Sequence, residues 1–155
     1  MMQSQRLDPL LRRAQQHEDE VARDLAERQR ALATHESRLE ELRRYAEEYA
    51  NSQMAATSLA QLANRRAFLD RLESAVQQQC QTVDRNREKV EMERSRLLLA
   101  SRDKQVLEQL AASYRAQERK VDDRRSQREM DDLGARRARL AATADEHDDG
   151  DGDGR

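Results

Sequence analysis

The sequence predicts an all-α protein, folded as an antiparallel two-helix coiled-coil hairpin. Three observations lead there. The first is composition: of 155 residues, 39% are charged, 3% are aromatic and none is Trp. A globular core needs bulky apolar side chains to offset the conformational entropy lost on folding, and this chain has few. The abundant residue types (Ala, Glu, Leu, Arg and Gln) are helix formers. The second is punctuation: Pro9 is the only proline, and no glycine occurs before Gly134. The third is period. Two long stretches keep a 4-3 spacing of apolar residues, which a disordered charged chain has no reason to hold.

Helix 1 is expected over about residues 9–52. Asp8-Pro9 supplies its start, with Asp8 as cap and Pro9 at the first helical position, where a missing N–H costs nothing. Its register is Leu11, Ala14, Glu18, Val21, Leu25, Arg28, Leu32, His35, Leu39, Leu42, Ala46 and Tyr49. The stripe is narrow, which suits one partner helix. The small, uncharged run Ala50-Asn51-Ser52-Gln53-Met54-Ala55-Ala56-Thr57-Ser58 then breaks the pattern. The turn is expected at about 53–58, with Thr57 or Ser58 capping the second helix.

Helix 2 is expected over about 59–140. Its register is Leu69, Leu72, Val76, Gln79, Val83, Asn86, Val90, Glu93, Leu97, Ala100, Lys104, Leu107, Ala111, Tyr114, Glu118 and Val121. Reversal near residue 57 sets Leu42 opposite Leu72, His35 opposite Gln79 and Arg28 opposite Asn86. Polar interruptions then meet polar interruptions, as a buried polar group requires. Leu11 falls opposite about residue 103, so residues beyond about 115 have no partner. That remainder, Arg115 to Arg139, carries nine basic and six acidic residues, suited to a single helix held by i,i+4 pairs. Residues 1–144 thus form one hairpin domain, and 145–155 is an acidic Gly/Asp tail expected to be disordered.

Several chemistries are excluded. Six acidic residues and one Arg give the tail a charge of −5 out of the chain's −2, which leaves +3 on the body. That is too weak and too intermixed for a nucleic-acid footprint. The longest apolar stretch, Leu97-Leu98-Leu99-Ala100, cannot span a membrane, and no signal peptide is evident. A single cysteine, Cys80, rules out an internal disulfide and suits a reducing, cytoplasmic setting. His17, His35 and His147 are far apart, and two helices make no pocket for a nucleophile. The Asp/Gly tail lacks the terminal Glu of a calcium loop. Neither an enzyme, nor a cofactor, nor a metal site is expected.

The four aromatics are more informative. Tyr45, Tyr49 and Phe68 lie near the expected turn, with Tyr114 apart from them. Tyr45 and Phe68 occupy equivalent flanks of the two registers, so they belong on one side of the hairpin. Arg38 and Ala75 extend that flank, and Tyr49 and Leu72 lie at its edge. Such a cluster either staples the turn end shut or forms an exposed docking surface.

The order of these features resembles the flagellar FliJ family. The resemblance is carried by Leu39-x-x-Leu42-x-x-Tyr45-x-x-x-Tyr49, then Leu62-x-Asn64-x-x-x-Phe68-Leu69-x-x-Leu72-x-x-Ala75-Val76-x-x-Gln79. Lys104-x-x-Leu107-Glu108-x-Leu110 and Gln127-x-Glu129-x-Asp131-Asp132-Leu133 continue it. It covers roughly residues 7–140. The chain departs from the family pattern at Leu97 and Leu98, where an aromatic is often seen, and in its acidic tail. The resemblance implies a hairpin similar to the central stalk of rotary ATPases, whose open end enters the hexameric export ATPase. It implies a partner surface for the export gate membrane protein FlhA made of Arg38, Leu42, Tyr45, Tyr49, Phe68, Leu72, Ala75 and Gln79. Arg38 stands where the family more usually has an amide. It also implies recruitment of export chaperones through the free helix, and a cytoplasmic location at the inner face of the inner membrane without insertion.

Three other readings of the residues stay open: the stalk of a virulence type III secretion system, a helical-hairpin holdase for unfolded chains, and a dimeric scaffold with one continuous helix per chain.

Overall fold

The two expected helices are present, and both are longer than their sequence signals. The computed structural model describes residues 2–52 and 58–148, apart from the side chains of the last two. Helix α1 spans Gln3–Asn51 and helix α2 spans Leu59–Asp148. They pack against each other as an antiparallel coiled-coil hairpin. Among the described residues, no helix is long and apolar enough to cross a membrane.

α1 does not begin at Pro9. It starts six residues earlier, and Pro9 lies inside the helix. Proline there removes the N–H that would bond the Gln5 carbonyl, a substitution that costs about 3 kcal/mol in a helix interior. The early start is held from α2. Ser4 N–H and Oγ–H both donate to the Glu118 carboxylate, at 3.0 and 2.6 Å. Asp8 does not cap the helix; its carboxylate faces Arg115 at 3.6 Å. Because α1 reaches back to Gln3, Glu118 is still met by Ser4, and Val121 and Asp122 share a shallow groove with Met2 and Gln3, beyond the expected limit near 115.

Most of the turn expected at 53–58 lies outside the described residues, as does Thr57. Ser58 is described and caps α2: its Oγ accepts from Gln61 N–H at 3.3 Å and its carbonyl from Leu62 N–H at 3.2 Å. At the far end α2 continues to Asp148, four residues into the stretch expected to lack structure. Ala141, Ala142 and Ala144 favour helix there, and the next glycine is Gly150. Residues 149–155 are outside the described part.

The chain divides into two units, Leu11–Val106 and Met1–Leu10 with Leu107–Arg155. The core of the first is a single file of Val21, Leu39, Leu72, Val83, Val90 and Ala100, with Asn86 among them. No described residue larger than Leu is buried. The most deeply buried large side chains, Val21 and Val83, are small enough to let two helices approach closely. The second unit buries Ala111 and Ser4. Of the residues in the two expected registers, only Arg28 and Val121 are exposed.

The polar interruptions are satisfied in different ways. Gln79 donates to the His35 carbonyl at 3.0 Å and lies 3.3 Å from His35 Nδ1. Lys104 meets Glu18 at 3.4 Å. Asn86 does not use Arg28. Its amide donates to the Thr82 carbonyl at 2.8 Å, inside its own helix, which leaves Arg28 to turn to solvent.

Candidate partner-docking surface

The turn end of the first unit gathers the scarce rings. Phe68 sits between two tyrosines, edge-on to both. Its centroid lies 4.6 Å from Tyr49 at 60° and 6.4 Å from Tyr45 at 85°. Edge-to-face pairs of this kind contribute roughly 0.5–1.5 kcal/mol beyond area burial. The three rings differ in exposure. Tyr49 and Phe68 are half-buried, whereas Tyr45 is 51% exposed. One part of the cluster therefore closes the turn end and another faces outward.

Beside Tyr45 runs a shallow groove of about 360 Å³, lined by Arg38, Glu41, Leu42, Tyr45 and Gln79. Arg38 is exposed and Leu42 half-buried. Gln79 is oriented by its bonds to His35. The structure thus joins Arg38, Leu42, Tyr45 and Gln79 in one groove, and Tyr45, Tyr49 and Phe68 in one ring cluster that shares Tyr45. Leu72 is 8% exposed and belongs to the seam beneath. Ala75 is half-buried.

Two residues of this region are absent from the expected site. Glu41 supplies a carboxylate to the groove that Arg38 also lines. Arg65 finishes the C-terminus of α1. Its Nη2 donates to the carbonyls of Ser52 at 2.7 Å, Ala50 at 3.1 Å and Tyr49 at 3.4 Å. The last carbonyls of a helix have no intrahelical partner and carry its negative dipole end, so a guanidinium is well matched to them. Arg65 stands one helical turn before Phe68. That spacing is the only sequence signal that could have marked it.

Cys80 is a half-buried free thiol whose Sγ accepts from Arg43 at 3.3 Å. A more polar groove lined by Asp24, Glu27, Arg28, Ala31, Glu93 and Arg96 is largely self-neutralised. Arg96 bonds both Glu93 oxygens at 3.0 Å and comes within 4.0 Å of Asp24. Among the described residues, no group of His, Cys, Asp and Glu could hold a metal ion.

In the second unit, Glu118 is displaced from its ordinary range. The Ser4 hydroxyl lowers its pKa most, followed by the Ser4 N–H. Partial burial opposes them, and Arg115 adds a small downward pull.

These features define a two-helix coiled-coil hairpin that presents side chains on open ridges and shallow grooves. The chain belongs to the flagellar FliJ protein family, whose model matches residues 2–143. It is therefore a component of flagellar protein export. No curated protein and no solved structure matches it.

Proposed function

We propose that the chain is the non-enzymatic stalk of the flagellar export ATPase complex, and that its ring-bearing ridge docks on the export gate protein FlhA. The observation that carries this reading is the outward face of the ring cluster. A chain with four aromatics leaves Tyr45 half exposed beside the groove of Arg38, Leu42 and Gln79. Exposed aromatic and arginine side chains around a shallow groove are the usual anchors of a protein interface. Leu72 and Ala75 support the ridge from the seam side.

In this reading the end bearing the start of α1 enters the ring of the export ATPase, and the free part of α2 recruits export chaperones. The protein sits at the cytoplasmic face of the inner membrane through its partners and not by insertion. The family match favours this flagellar role over the stalk of a virulence secretion system.

The test is retention of purified gate protein on the immobilised chain, with Tyr45→Ala, Phe68→Ala and the double variant. Circular dichroism establishes that each variant remains helical. The double variant is expected to lose at least tenfold in affinity, and Tyr45→Ala alone to lose affinity without loss of melting temperature. A folded double variant that binds as well as the parent rejects the ridge. Stimulation of the purified export ATPase, read separately, tests the stalk role.

A further inference from the structure

Gln79 lines the groove beside Tyr45, and its side chain is held by His35. Its Nε2 donates to the His35 carbonyl at 3.0 Å and lies 3.3 Å from His35 Nδ1. A carbonyl oxygen can only accept, so the first contact fixes which end of the amide is the nitrogen. The second contact then requires an acceptor at Nδ1, which places the ring proton on Nε2. Neutral His35 thus engages both hydrogens of the Gln79 amide.

With both hydrogens taken, Gln79 has only Oε1 left for a partner. That oxygen accepts no bond from any described residue and is not buried. Gln79 shares the groove with Arg38, Leu42 and Tyr45. A protein seated there meets an acceptor at Gln79, a donor at Arg38 and an apolar wall between them.

A proton on His35 reverses this arrangement. Histidine is the side chain that changes charge near neutral pH, and the imidazolium carries a donor at each nitrogen. Nδ1–H then confronts the Gln79 amide hydrogens, donor against donor. When the amide turns over, Oε1 accepts from Nδ1–H and Nε2 becomes the atom offered to the groove. The remaining charged and titratable groups around this layer are Glu36 and Arg38 on α1, and Cys80, Asp84 and Arg87 on α2. Arg87 lies 3.3 Å from Glu36 and 3.7 Å from Asp84, and Cys80 accepts from Arg43. None of them hydrogen-bonds His35, so Gln79 is the described residue that responds to its proton.

We infer that His35 is a positioning residue of the docking groove, which in its neutral form holds Gln79 so that the gate protein must bring a hydrogen-bond donor to Oε1. In its protonated form it turns that amide and weakens docking. The inference rests on the proposed docking for its partner, whereas the coupling of His35 to Gln79 is measured in the free chain.

The experiment pairs nuclear magnetic resonance of the full chain with retention of purified gate protein. Both are read at about pH 8 and about pH 5.5, on either side of histidine's ordinary range. In the free chain the Gln79 side-chain amide protons should shift with the same midpoint as the His35 ring. His35→Asn keeps an acceptor at the level of Nδ1 and takes up no proton, so Gln79 should cease to respond. At the lower pH the parent should bind about tenfold more weakly than His35→Asn, the size of one hydrogen bond, and at the higher pH the two should bind alike. Titration of the gate protein acts equally on both chains, so their ratio isolates His35. Gln79→Met keeps apolar volume in the seam and serves where His35→Asn does not fold. The parent should bind about tenfold more tightly than Gln79→Met at the higher pH, and the ratio should fall to near unity at the lower. A Gln79 amide that ignores the His35 titration, or a ratio that does not change with pH, would overturn the inference. Retention of no gate protein by the parent at either pH would reject the docking reading, and the spectra alone would then uphold or overturn the coupling of His35 to Gln79.

Discussion

Between Leu69 and Lys104, α2 carries an apolar residue at most seam positions and buries them against α1. Between Arg119 and Glu146 the same helix, with much the same residue types, buries nothing. The difference is not one of helix propensity, since both stretches are helical. It lies in whether the apolar period has a facing helix. In the first stretch Val83, Val90 and Ala100 are almost wholly covered, whereas in the second Met130, Leu133 and Leu140 are mostly exposed. A heptad pattern therefore identifies a face fit for packing but does not say that a helix lies against it.

Substitution at one position in each stretch breaks the comparison most sharply. Val83→Asp places an unpaired carboxylate in the seam and should destabilise the chain by roughly 3–4 kcal/mol. Its thermal midpoint should fall far enough to be plain by circular dichroism. Leu140→Asp, on the free stretch, should change stability by no more than about 0.5 kcal/mol. If both variants melt alike, the two stretches are not distinguished by partnering.

Much of this contrast was legible in the sequence. The two registers were correct almost throughout, because a 4-3 repeat fixes one face of a helix whatever its flanks. Arg28 escapes, since Asn86 bonds its own helix and releases Arg28 to solvent. The ends were less legible. Pro9 read as a helix start because that is where proline is cheapest, but the start is set by Ser4 and Glu118, residues 114 apart in sequence. Arg65 was silent for the same reason: its role depends on carbonyls 13–16 residues earlier, brought back by the turn. Of the candidate ridge, the ring cluster followed from flank positions alone. The carboxylate of Glu41 in the groove did not, because a charged residue on a helix flank is ordinary.

A finer comparison concerns the two ends of α1, each finished by a charged side chain of α2 whose sign matches the helix dipole. At the C-terminal end, rings and a guanidinium act together. Phe68→Ala should cost roughly 2 kcal/mol, less than for a fully buried ring, because Phe68 is only half-buried. Arg65→Ala should cost about 1 kcal/mol. Hydrogen exchange should then speed up at the amides of residues 46–51 while the Val83 region keeps its protection.

At the N-terminal end the fastening is polar and depends on pH. Glu118 binds its proton less readily in the folded chain than in the unfolded one, because Ser4 donates two hydrogen bonds to its carboxylate. Its contribution is complete above the unfolded carboxylate range, about 4.3, and is lost as pH falls through the lower folded value. On acidification into that range, exchange at residues 3–8 should accelerate before that at residues 46–51. Glu118→Gln should show the faster exchange already at neutral pH and lose the acid response.

The central claim is that α1 packs on α2 of its own chain. Zero-length carbodiimide coupling in dilute solution tests it directly, because Lys104 Nζ and Glu18 Oε1 are 3.4 Å apart and the chain has only three lysines. A Glu18–Lys104 cross-linked peptide should be recovered from material of 18.0 kDa. The same peptide recovered only from material of twice that mass would contradict the claim.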